Sequence, residues 1–238
     1  MSDLSSPLHT GMTKAQAVFG IFFIPFHSVL LPMAFSSVYS RVMAPAGIIL
    51  SPATLNLALY SISFLILLFP MLSYLRNSFS AIFDHFGKFV TSVLMGTSAH
   101  YVLSFILSFL LLLVMPELAN PNTDAIISSA SGNTAQVLVY TVLLAPIIEE
   151  TMFRGALFGA IRNRHRILAY IVTAVVFSIY HLWSFFFVSY SNELWLYLLQ
   201  YVPITVILCM AYEKSGTLWS PILIHAIINF ISIRITAM

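Results

Sequence analysis

Cysteine is nearly missing from this chain of 238 residues: Cys209 stands alone, inside an apolar run. No intramolecular disulfide framework can form, and a thiol in apolar surroundings is a poor nucleophile. Charge is scarce as well, at 8% of residues with a formal net charge of +2. The basic residues are few and dispersed, which speaks against a nucleic-acid surface. The aspartates are Asp3, Asp84 and Asp124, none of them deep in an apolar run, so an aspartyl catalytic pair is not expected. There is no GxSxG elbow and no evident serine–lysine pair, and none of the seven histidines is followed by glutamate, which removes the zincin helix. No internal repeat is evident, which counts against a transporter built from inverted halves.

What the chain has in abundance is hydrophobicity, with 60% apolar residues and a mean hydropathy of +0.96. Its apolar runs reach the ~20 residues that a helix needs to cross a hydrocarbon core of ~30 Å. The expected fold is therefore all-α: a polytopic transmembrane helical bundle of about seven to eight spans. Seven are read at 15–36, 54–75, 89–115, 136–160, 167–188, 194–212 and 217–236. The domain division is a polar N-terminal tail over 1–14 followed by a transmembrane domain over 15–238. The first apolar segment runs past Pro25 and Pro32 without a small-x-small cleavage site, so it reads as an anchor. Residues 77–89 read as an amphipathic interfacial helix or a plain connector, and Pro116 to Asn133 as a loop dividing the chain. The aromatic runs at 182–190 and 194–201 read as interface belts or as the lining of a substrate portal.

With the N-terminus cytoplasmic, Lys14, Arg76, Lys88, Arg162, Arg164, Arg166 and Lys214 fall inside, and Arg41 and Arg234 outside. Seven against two satisfies the positive-inside rule. The expected location is an integral multi-pass membrane protein, in the cell membrane if the host is prokaryotic.

A few polar residues set into the apolar runs after residue 140 carry the chemistry, because ionisable groups at bilayer depth are costly and mark functional sites. Glu149, Glu150 and Arg154 form one group. Glu150 and Arg154 are four apart, hence on one helix face and able to pair. Glu149 is rotated by ~100° and stays available as a general base. In the competing reading, both glutamates neutralise Arg154 and hold the bundle together. His181 lies four residues after Phe177, which puts an aromatic ring one turn below the imidazole; a hydrogen-bonded packing histidine is the bland alternative. His225 and Asn229 share one face and offer two N–H donors. They suit either an oxyanion hole or an interhelical polar clamp. Together, Glu149 and His181 can activate a water, with His225 and Asn229 stabilising the tetrahedral intermediate of amide hydrolysis.

The EExxxR block at Glu149, Glu150 and Arg154, the FxxxH block at Phe177 and His181, and the HxxxN block at His225 and Asn229 resemble, in order, the three motifs of the CAAX protease and bacteriocin-processing (Abi) family. The resemblance covers about residues 140–232. It implies a glutamic-type intramembrane endopeptidase related to type II CAAX prenyl proteases. Glu149 and His181 would activate water, His225 and Asn229 would form the oxyanion hole, and Glu150, Arg154 and Phe177 would support them. No metal or other cofactor is expected under this reading. The rival is a zinc protease using Glu149, His181 and His225 as ligands. The family also includes non-catalytic bacteriocin immunity proteins or scaffolds. The expected partners are the lipid bilayer and a hydrophobic, prenylated or leader-peptide substrate, with no nucleic acid.

Overall fold

The computed structural model describes residues 11–115, 120–130, 132–188 and 194–236. Most of the expected polar tail, parts of the expected loop and the end of the first aromatic run lie outside the described residues. Helix α1, Lys14–Met43, opens with a reciprocal cap: the Thr13 hydroxyl accepts from the Gln16 amide at 3.2 Å, and the Gln16 side-chain oxygen accepts from the Thr13 amide at 3.1 Å. The backbone widens to a π-helix at Phe26–Leu30, directly after Pro25. Proline brings no N–H to the ladder, and a wider turn absorbs the gap. Gln16 also donates to the Pro70 carbonyl at 2.8 Å, which ties α1 to α2, Pro52–Asp84.

Helix α2 corrects one expectation. The 77–89 stretch is not a separate interfacial helix: α2 continues to Asp84, breaks at His85 (φ −135°, ψ 40°), and α3, Phe86–Val114, starts at once. The end of α2 is held by tertiary hydrogen bonds, since the Ser78 hydroxyl accepts from the Leu218 amide at 2.7 Å and the Thr217 hydroxyl donates to the Ser78 carbonyl at 2.6 Å.

The expected loop also contains regular structure, helix α4, Pro121–Ala130. Asn120 starts it: its side-chain oxygen accepts from the amides of Asn122 and Thr123, and Pro121 occupies a position where no N–H is needed. Low hydropathy concealed a helix whose Asn122, Thr123 and Ser129 line a cavity.

The remaining elements are α5, Thr134–Arg162; α6, Arg166–Leu182; α7, Phe185–Val188; α8, Leu194–Ser215; and α9, Trp219–Thr236. Apolar helices occur at all seven expected places. Five of these are long and apolar enough to cross a membrane, while α6 and α9 are shorter. The expected span 167–188 ends early, because the chain turns at Trp183–Ser184 before α7.

Burial fixes the layering. In α5, 67% of the apolar window is buried, against 6% in α3. Helix α5 is thus the central post and α3 an outer one. Phe22, Phe69, Phe105 and Val114 point outward, each more than 70% exposed. Such a surface suits lipid. The protein is a helical membrane bundle.

Candidate active site

Proline organises the central helix. The Ala145 amide donates five residues back, to the Tyr140 carbonyl, at the end of a π-helical stretch, Val139–Leu144. The next carbonyl in that pattern, Thr141, would need the N–H of Pro146, which has none. Asn229 on α9 fills the gap, its amide nitrogen donating to the Thr141 carbonyl at 2.8 Å. One backbone defect thereby fixes the register of α9 against α5. Just beyond Pro146, Glu149 and Glu150 end a short α-helical segment, and a second π-helical stretch, Thr151–Phe158, follows. Breaks of this kind inside helices recur at functional sites.

The two glutamates have different surroundings. Glu150 is fully buried, and one of its oxygens accepts from Arg154 at 2.9 Å and from His225 Nδ1 at 2.7 Å. Arg154 in turn lies 4.5 Å over the Phe177 ring. Glu149 Oε1 accepts from the Tyr180 hydroxyl at 3.4 Å. Its Oε2 has no hydrogen bond from any described residue and lies 3.6 Å from His181 Nε2 and 3.9 Å from His225 Nε2.

Partner chemistry fixes the imidazole protons. His181 Nδ1 sits 2.9 Å from the Phe177 carbonyl. A carbonyl only accepts, so Nδ1 carries the hydrogen and, in the neutral ring, Nε2 presents a lone pair toward Glu149. His225 Nδ1 likewise donates to the Glu150 carboxylate, and its Nε2 donates only when the ring is protonated. The His181 ring packs between Phe177 at 4.4 Å and Tyr201 at 4.6 Å.

Glu149, His181, His225 and Asn229 line a cavity of about 780 Å³. The first part of the chain also contributes to its wall, through His27, Asn56, Tyr60 and His100. All seven residues singled out in the sequence therefore meet in one region. Glu150 and Arg154 sit behind the wall and touch it through His225 and Phe177. Sequence reading missed Tyr180, Tyr201 and the Thr141 carbonyl. Tyr180 stands next to His181, but nothing local marks it as a partner of Glu149. Among the described residues, no group of three His, Cys, Asp or Glu side chains is placed to hold a metal ion.

Residues 131–231 match the family described as type II CAAX prenyl endopeptidase Rce1-like. The chain is similar to UPF0177 protein YbdI of Lactococcus lactis subsp. lactis (strain IL1403), 27% identical over 182 residues, covering 70% of this chain and 88% of the relative. It is also similar to UPF0177 protein YxdF of the same strain, 26% identical over 87 residues, covering 37% of this chain and 42% of that relative. No solved structure matches. The resemblance carried by the three motifs thus holds over the segment that contains all of them. It supports a CAAX-type intramembrane protease in general.

Proposed function

We propose that the protein is an intramembrane endopeptidase that hydrolyses a peptide bond of a membrane-associated or lipidated peptide, without a metal. The observation that carries this reading is the Glu149 Oε2 atom, without a hydrogen bond and facing two imidazole Nε2 atoms on the wall of a large cavity. A water between Glu149 and His181 gives one proton to Glu149 while its oxygen attacks the scissile carbonyl carbon. His181 Nε2 accepts a hydrogen bond from the O–H that the water keeps and aims the lone pair. The oxygen of the tetrahedral intermediate then takes hydrogen bonds from the second N–H of Asn229 and from Nε2–H of a protonated His225. Glu150 holds that imidazolium through Nδ1–H. As the carbonyl re-forms and the C–N bond breaks, Glu149 returns its proton to the leaving amine.

Purified protein in detergent is expected to cleave members of a fluorogenic peptide library, prenylated or not, with activity that survives a strong zinc chelator. Loss on chelation with rescue by zinc would overturn the metal-independent reading and move Glu149, His181 and His225 into ligand roles. Failure of folded protein to cleave anything would favour the immunity or scaffold reading.

The proposed orientation puts the N-terminus in the cytoplasm. Hydrogen bonds from Gln16 to Ser73, between Ser78 and Thr217, and from Arg166 to Glu213 gather the beginning of α1, the α2–α3 junction, the α5–α6 turn and the α8–α9 turn at one end of the bundle. The seven cations of the positive-inside count fall at that end. Cys209 is buried, so an Arg164→Cys variant carries one accessible thiol. An impermeant maleimide should label it in inside-out vesicles and not in intact cells, and the reverse pattern would invert the topology.

A further inference from the structure

Glu149 is held from the side that the proposed chemistry does not use. Its Oε2 faces the two imidazoles and takes no hydrogen bond from a described residue, so the tilt of the carboxylate is set through Oε1. The group that meets Oε1 is the Tyr180 hydroxyl, at 3.4 Å. A carboxylate only accepts, so the phenol hydrogen is committed to it. The Tyr180 oxygen is then left as an acceptor, and the Tyr60 hydroxyl is hydrogen-bonded to it. The two phenols form a chain that runs in one direction, from Tyr60 through Tyr180 to Glu149, and each bond in such a chain polarises the next. Hydrogen bonds at catalytic groups are commonly long without substrate and tighten when it binds.

Both phenol rings are caged. Tyr180, on α6, has the Phe153 ring edge-on at 5.2 Å and the His27 ring stacked at 6.1 Å. Tyr60, on α2, stacks on Tyr140 at 5.4 Å and meets His27 edge-on at 5.2 Å. His27 is pinned in turn to Ser63, one turn along α2 from Tyr60, by an Nδ1–Oγ contact of 2.7 Å. Helices α1, α2, α5 and α6 therefore all help to fix where the Tyr180 hydroxyl points. Packing of this kind is what holds a reacting group close to its productive geometry. Tyr60 and His27 lie before residue 131, outside the segment that matches the family, and none of the three motifs contains them.

Proton placement follows from the same contact. When Glu149 takes a proton from water, the side of Oε1 toward Tyr180 is already occupied by a hydrogen, and Oε2 is the oxygen left to receive it. Oε2 is also the one beside His181 Nε2 and His225 Nε2, at 3.6 and 3.9 Å. We propose that Tyr180 is a positioning residue for hydrolysis: its hydroxyl, backed by Tyr60, holds Glu149 by Oε1 and so keeps Oε2 aimed at the reacting water. This rests on the endopeptidase reading, which names Glu149 as the base. It also makes the first half of the chain part of the machinery, through Tyr60 and the His27–Ser63 pair.

Tyr180→Phe and Tyr60→Phe keep the rings and remove only the hydroxyls, and unfolding midpoints report whether each variant is folded. With a peptide that the wild type cleaves, kcat of Tyr180→Phe should fall roughly tenfold, the loss of one hydrogen bond to a charged acceptor, with KM unchanged. Tyr60→Phe should lower kcat by a smaller factor. The double variant should be no slower than Tyr180→Phe alone, because Tyr60 acts only through Tyr180. The hydrogen bond is read without turnover by infrared difference spectroscopy in detergent. The Glu149 carboxyl band, isolated as wild type minus Glu149→Gln, should move when the same subtraction is made in the Tyr180→Phe background. An unmoved band overturns the proposal, and so does an unchanged kcat, or a rise in KM alone, which would make Tyr180 a substrate contact. Losses that multiply in the double variant overturn the Tyr60 link. If the wild type cleaves nothing while the band still moves, the endopeptidase reading fails and the hold of Tyr180 on Glu149 stands. If the wild type cleaves and Tyr180→Phe matches it, the endopeptidase reading stands and the positioning role fails.

Discussion

Glu149→Gln should reduce peptide cleavage by about 10²–10⁴-fold while leaving the thermal unfolding midpoint close to that of the unsubstituted protein. The two halves of this expectation come from one geometry. Glu149 is 3% exposed, and its Oε2 has no hydrogen bond from a described residue, so no hydrogen bond to that atom is lost on substitution. Its Oε1 takes only a long bond of 3.4 Å from Tyr180, which a glutamine carbonyl can also accept. Glutamine keeps the volume, so no cavity forms. What disappears is the base. Cleavage rates and unfolding curves of the same preparation decide the matter. Retained activity with a normal midpoint would remove Glu149 from the chemistry, and a collapsed midpoint would make it a structural anion after all.

The division of labour between the two glutamates shows how far the sequence could be read. Four-residue spacing predicted the Glu150–Arg154 contact, and the helical period pointed Glu149 elsewhere, because both are local consequences of one helix. Hydropathy located the apolar helices for the same reason. It failed at α4, where Asn122, Thr123 and Ser129 line a cavity, and at 77–89, where the end of α2 is held by Ser78 against Thr217 and Leu218. Contacts set by tertiary packing left no local trace. Glu150 and His225 are 75 residues apart, and Asn229 reaches a carbonyl vacated by Pro146, 88 residues earlier in the chain at Thr141. A proline inside a span is a readable signal of an unpaired carbonyl, although the helix that fills it is not.

Arg154→Met should destabilise the protein by about 3–5 kcal/mol, because removing one partner leaves the other charge buried and uncompensated. Arg154 and Glu150 are both fully buried and 2.9 Å apart. In detergent the unfolding midpoint should fall by about 10 °C, at roughly 2–4 °C per kcal/mol for a chain of this size. Glu150→Met should cost a similar amount by stranding the arginine. The double variant should then recover much of the loss, since two apolar side chains of similar length replace a pair whose desolvation largely offsets its attraction. Additive losses in the double-mutant cycle would show that the two do not act as a unit. Activity should behave differently. Glu150 also holds His225 through Nδ1 at 2.7 Å, and nothing in the double variant replaces that acceptor. Without that acceptor the His225 ring is free to turn away from Glu149. The double variant should therefore be stable and inactive. If it cleaves peptide at the wild-type rate, Glu150 is only a counter-ion for Arg154, and His225 does not depend on it.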